Sequence, residues 1–136
     1  MLFGCSEVDE GAYLEHVREV ARLSQPISFA CRYAMLGADD EVDRAYVFLV
    51  PDEGCSGISR LHDALYRRHM AAFLRLDIPY VPHITLGSSA DRTAMKACCD
   101  ELNEAGLSIH GTIEALTVVA LEGRSLVEVA SLPLMA

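Results

Sequence analysis

The sequence predicts an α+β fold of antiparallel strands with amphipathic helices laid outside them. Three observations carry that expectation. Runs of alternating or continuous apolar residues recur at 27–36, 45–50, 107–121 and 125–132. Stretches with apolar residues at helical spacing separate them. The order strand, helix, strand, turn, strand then occurs in both halves, so that lobes of about 1–53 and 76–136 are expected, joined by a helix over 56–75. At 136 residues a single domain with a sizeable core is the natural reading.

In chain order, Leu2-Phe3-Gly4 reads as the tail of a strand, and Ser6 or Asp9 can cap the helix that follows. Leu14, Val17 and Ala21, flanked by Tyr13 and Val20, form its apolar stripe, and Pro26 closes it. His16 lies beside the stripe among charged residues and is expected at the surface. Phe29, Cys31, Tyr33 and Met35 alternate onto one face of the next strand. Asp39, Asp40 and Glu41 form an acidic loop without the spacing of a calcium site. The run over 45–50 reads as a strand buried on both faces and ended by Pro51.

Ser56 is the expected cap of the second helix, with Ile58, Leu61, Leu65 and Ala72 inward. His62 and His69 lie seven apart on that helix. They lack a third metal ligand, so surface or groove-edge positions are expected for both. Ser89 is the expected cap of a third helix with Ala94, Cys98 and Leu102 inward, stopped by Gly106. Two strands then close the chain around a turn at Glu122-Gly123-Arg124.

Composition narrows the function. A net charge of −9 argues against broad binding along a nucleic-acid backbone, DNA duplex included, which needs clustered Lys and Arg. A small nucleotide or an RNA end stays compatible, because Arg60, Arg67, Arg68 and Arg75 gather ahead of one motif. No apolar run reaches the ~20 residues of a membrane span, and no signal-peptide pattern opens the chain. Five cysteines without C-x-x-C spacing read as reduced packing thiols, and a cytoplasmic location is expected.

The chemistry concentrates at 79–87, Pro-Tyr-Val-Pro-His-Ile-Thr-Leu-Gly. Two prolines cannot donate to a ladder, so the strand is expected to begin near His83, at an edge or opening. Alternation puts His83 and Thr85 on one face and Ile84 and Leu86 on the other, where they are expected to anchor the strand. An imidazole can move a proton near neutral pH, and a hydroxyl can donate to a phosphate oxygen. The pair alone is a common chance occurrence and also suits a solvent-facing strand.

The full string Tyr80-Val81-Pro82-His83-Ile84-Thr85-Leu86-Gly87 resembles the second signature of the 2H phosphoesterase superfamily, which includes 2′-5′ RNA ligase-like proteins and cyclic phosphodiesterases. The resemblance implies a bilobal, pseudo-symmetric α+β fold with a groove between two antiparallel-sheet lobes. It implies two H-x-[TS] motifs, one histidine removing a proton and the other protonating the leaving oxygen, with no metal or other cofactor. The implied partner is a nucleotide or RNA end carrying a 2′,3′-cyclic phosphate or 2′-5′ linkage. His83 and Thr85 carry over as one catalytic half-site. Tyr80, Arg60, Arg67 and Arg75 are candidates to contact substrate, with core packing the alternative for Tyr80.

The other half-site is the difficulty. His110-Gly111-Thr112 has the letters, but it follows a helix and carries a glycine, so it does not match the motif's placement. Superposing Gly4 on Gly87 places the partner of His83 just before Met1. Truncation, natural loss of half the site, and sharing between two chains are the three accounts. Truncation is favoured, with an H-x-[TS] expected within a few codons upstream. Two other classes stand beside the enzyme: a binding module using the same groove without chemistry, and a purely structural α+β domain.

Overall fold

The computed structural model describes residues 8–38 and 43–136. Leu2-Phe3-Gly4, Cys5, Ser6 and the Asp39-Asp40-Glu41 loop lie outside the described residues. The elements are α1 (Glu10–Leu23), β1 (Ile27–Gly37), β2 (Ala45–Glu53), α2 (Cys55–Leu65), a 3₁₀ helix (Arg68–Phe73), β3 (Ile84–Ser89), α3 (Arg92–Glu104), β4 (Ile109–Ile113), β5 (Ala115–Glu122) and β6 (Ser125–Pro133). The α+β class read from the sequence holds.

The described chain packs as two compact units, 8–27 with 60–74 and 112–136, and 28–38 with 43–59 and 75–111. Each takes residues from both expected lobes. The reason is strand pairing: β3 joins β2 and β4 joins β1, giving the sheet order β3-β2-β1-β4. Strands from the second half of the chain therefore complete a sheet begun by the first.

In the first unit, Asp9 caps α1 by accepting from the Ala12 amide at 2.9 Å. Val17, Val20 and Ala21 of α1 pack with Leu61, Leu65 and Leu134, and with the inner faces of β5 and β6 through Leu116, Val118 and Leu132. β5 and β6 form an antiparallel hairpin whose two-residue turn uses Gly123 at φ 63°. Expected as one strand, 107–121 breaks into β4 and β5 at Glu114.

His16, expected at the surface, is buried. Its Nε2–H donates to the Leu65 carbonyl at 2.9 Å, where α2 ends and that oxygen has no helical partner. Its Nδ1 is buried with no partner among the described residues, and its ring meets that of His69 edge-on at 5.3 Å. His62 is likewise buried, against Tyr66 and Asp63, rather than at the surface; His69 is exposed. The long helix expected over 56–75 stops at Leu65, and Arg68 turns the chain through φ 55° into the 3₁₀ helix. Ala72 consequently faces solvent.

In the second unit, Cys31, Ala34, Val47, Leu49 and Cys99 form the core, with Phe29, Leu36, Met95, Cys98, Leu102 and Leu107 packed around it. Irregular register near Cys31 and Tyr33 breaks the alternation expected in β1, so Cys31 and Ala34 are buried and Tyr33 is exposed. Asn103 binds the backbone of β1, accepting from the Ala34 amide and donating to its carbonyl. β2 runs on through Pro51, which sits at that irregularity opposite Cys31. Asp91, not Ser89, caps α3 through the Ala94 amide, and Gly106 follows the helix at φ 71° as expected. Ala94 is exposed, and Cys99 takes the central buried place.

Candidate functional site

β3 begins at Ile84, directly after His83, as the two prolines predict. Among the described residues it is an edge strand, paired antiparallel to β2 with Phe48 opposite Thr85 and Leu49 opposite Ile84. Directly opposite residues share a face, so Thr85 lies on the Phe48 side of the sheet. Leu49 and Ile84 lie on the side that carries the core. Ile84 and Leu86 remain 42% and 50% exposed, so the expected anchoring of β3 by a buried apolar face does not occur. The ladder to β2 holds the strand instead. β3 continues past Gly87 to Ser89, and Arg44 donates to the side chain and carbonyl of Ser88.

His83 is half-buried on that same Phe48 side. Its ring stacks on the Phe48 ring, with centroids 3.7 Å apart and planes 18° from parallel. Its Nδ1 lies 2.6 Å from the Val81 carbonyl oxygen. A carbonyl can only accept, so Nδ1 carries the proton and the neutral imidazole is the Nδ1–H tautomer. Nε2 then has a free lone pair, and no hydrogen-bond partner for it occurs among the described residues. Thr85 is exposed and its hydroxyl is unengaged among those residues. One basic nitrogen and one hydroxyl are thus presented from a single face.

The chain matches the family model for the 2′-5′ RNA ligase superfamily over residues 2–124. It belongs to that superfamily, the 2H phosphoesterases. No curated protein sequence matches the chain.

Among the residues that the resemblance to the 2H phosphoesterases nominated, Tyr80 is 39% exposed and, with Arg75, belongs to the unit that holds His83. Arg75 pairs with Asp77, donating from Nε at 3.1 Å and from a terminal nitrogen. That contact holds the Asp77 carboxyl below its ordinary range. Arg60 and Arg67 are exposed and belong to the other unit, Arg60 on α2 and Arg67 at the start of the 3₁₀ helix. Arg68 is engaged by Glu19 at 2.8 Å.

His110 pairs with the Ser108 hydroxyl at 2.9 Å on exposed β4. A Cβ at Gly111 would come within 2.7 Å of the Phe29 ring, so the glycine of this second H-x-T is explained by packing. Among the described residues no group of three His, Cys, Asp or Glu could hold a metal ion, and no helix is long and apolar enough to cross a membrane.

Sequence reasoning missed Phe48. A continuous apolar run such as 45–50 does not say which side chain faces which way, and only the pairing with Thr85 reveals it.

Proposed function

We propose that His83 and Thr85 form a phosphate-handling half-site for a nucleotide or RNA end carrying a 2′,3′-cyclic phosphate or a 2′-5′ linkage. Membership of the 2′-5′ RNA ligase superfamily supports the substrate class. The single observation that carries the reading is the bond from His83 Nδ1 to Val81, which leaves Nε2 available for proton transfer on the sheet face that also bears Thr85. As a base, Nε2 takes a proton from water or a ribose hydroxyl; as an acid, it returns one to the leaving oxygen. The Thr85 hydroxyl donates to a phosphate oxygen and stabilises the charge that builds there. Tyr80, Arg60, Arg67 and Arg75 are the candidate substrate contacts, with Arg60 and Arg67 exposed and Arg75 engaged with Asp77. The proposed setting is a cytoplasmic cyclic phosphodiesterase of RNA processing that needs no metal.

A second reading is nucleotide or RNA-end binding by the same residues without turnover; the H-x-T at 110–112 does not compete for that role, because its glycine is accounted for by packing against Phe29. Calorimetry with a nucleoside 2′,3′-cyclic phosphate, with and without chelator, tests both readings. Metal-independent binding that weakens as the imidazole loses its second proton is expected, because the cation adds charge and a donor. Equal binding by wild type and His83→Ala would remove the half-site, and binding lost with chelator would replace it with a metal site.

A further inference from the structure

We propose that Phe48 is the positioning residue for His83, and that Gly37 is a glycine because the Phe48 ring must lie against it. The inference rests on the reading of His83 as the proton-transfer group of a phosphate site. An imidazole on a free side chain has two rotatable bonds, and aiming Nε2 requires both to be fixed. The hydrogen bond to Val81 fixes the direction of the ring within its own plane. The stack on Phe48, 3.7 Å away and 18° from parallel, fixes the plane itself. Neither contact alone restrains both bonds.

Phe48 can serve as such a reference because it is held in its turn. It is 5% exposed on β2, with the Tyr46 ring beside it at 5.8 Å. A Cβ at Gly37 would come within 2.2 Å of both Cδ2 and Cε2 of the Phe48 ring. Strand glycines ordinarily weaken a sheet, and here the missing side chain is the space the ring uses. Gly37 stands opposite Tyr46 on β1, so the contact to Phe48 is a diagonal cross-strand one. Phe48 is also the cross-strand partner of Thr85. The imidazole and the hydroxyl are therefore both referenced to one ring.

A purely packing role would cost stability and leave the imidazole tautomer untouched, which separates the two readings. The test is ¹H–¹⁵N NMR of the histidine rings in the full chain, with titration of a nucleoside 2′,3′-cyclic phosphate. Wild type should show ring-current shifts on the His83 carbon-bound protons and the Nδ1–H tautomer. In Phe48→Leu those shifts should vanish, the Nε2–H tautomer should rise, and affinity should fall about tenfold. Phe48→Tyr should keep all three properties, with affinity within about twofold. Gly37→Ala, which removes no ring, should displace the His83 signals as Phe48→Leu does. A folded Phe48→Leu or Gly37→Ala with unchanged tautomer and affinity would overturn the proposal. If wild type binds no cyclic phosphate, the phosphate-site reading fails, and the tautomer response alone decides whether Phe48 sets the ring.

Discussion

His83 Nδ1 and the Val81 carbonyl oxygen stand 2.6 Å apart, two residues from one another on the approach to β3. The bond is local, spanning only Pro82 between its partners, so it depends on the backbone just before the strand rather than on any distant element. It commits one ring nitrogen and exposes the other. Long-range ¹H–¹⁵N spectra of the neutral imidazole should show Nδ1 protonated and Nε2 bare. A dominant Nε2–H form would contradict the geometry from which proton transfer is argued.

The buried contact of His16 makes a stability prediction independent of function. His16→Ala removes the donor to the Leu65 carbonyl and leaves a cavity between α1 and α2. A loss of about 2–4 kcal/mol is expected by urea denaturation. His69→Ala, at an exposed ring, should cost under about 0.5 kcal/mol. Equal small losses would mean that the His16 bond contributes nothing net.

Much of the local structure was legible in the sequence. The Asp9 cap, the stop at Gly106, the Gly123 turn and the start of β3 beside His83 all follow from side-chain chemistry acting over three or four residues. What was not legible depended on pairing across long separations. Nothing local to His16 announces that the carbonyl ending α2 will need a donor 49 residues away. Nothing in the motif says that β3 joins the edge of β2, which is what exposes Ile84 and Leu86 and brings Phe48 under His83. The interleaving of strands from both halves is likewise invisible to a reading of element order.

The four described cysteines are free, and they divide by burial. Cys31 and Cys99 sit in the core, where burial pushes both thiols up and out of reach of reagents. Cys55 and Cys98 are half-buried. Mass-spectrometric mapping of alkylation in the native protein should label Cys55 and Cys98 well before Cys31 and Cys99. Uniform labelling would show that the core opens readily.

Two exposed ion pairs set a weak acid dependence. Hydrogen bonds from Arg32 and Arg75 hold the Asp52 and Asp77 carboxyls below their ordinary range. A depressed folded value adds stability above the unfolded value, and that stability is lost as pH falls through the lowered one. The Asp52→Asn, Asp77→Asn double variant should therefore show a slightly shallower loss of urea midpoint below about pH 4 than wild type. The difference should be small, since both carboxylates are solvated. A steeper loss in the variant would reverse the sign and the argument.

The central claim is that Nε2 of His83 and the hydroxyl of Thr85 together meet a phosphate. The most direct measurement follows the His83 ring resonances while a nucleoside 2′,3′-cyclic phosphate is added to wild type, Thr85→Val and His110→Ala with chelator present. The account predicts saturable shifts at His83 Nε2 in wild type, about ten- to a hundredfold weaker affinity in Thr85→Val, and no change in His110→Ala. Unmoved His83 resonances with shifts at His110 instead, or full affinity in Thr85→Val, would contradict it.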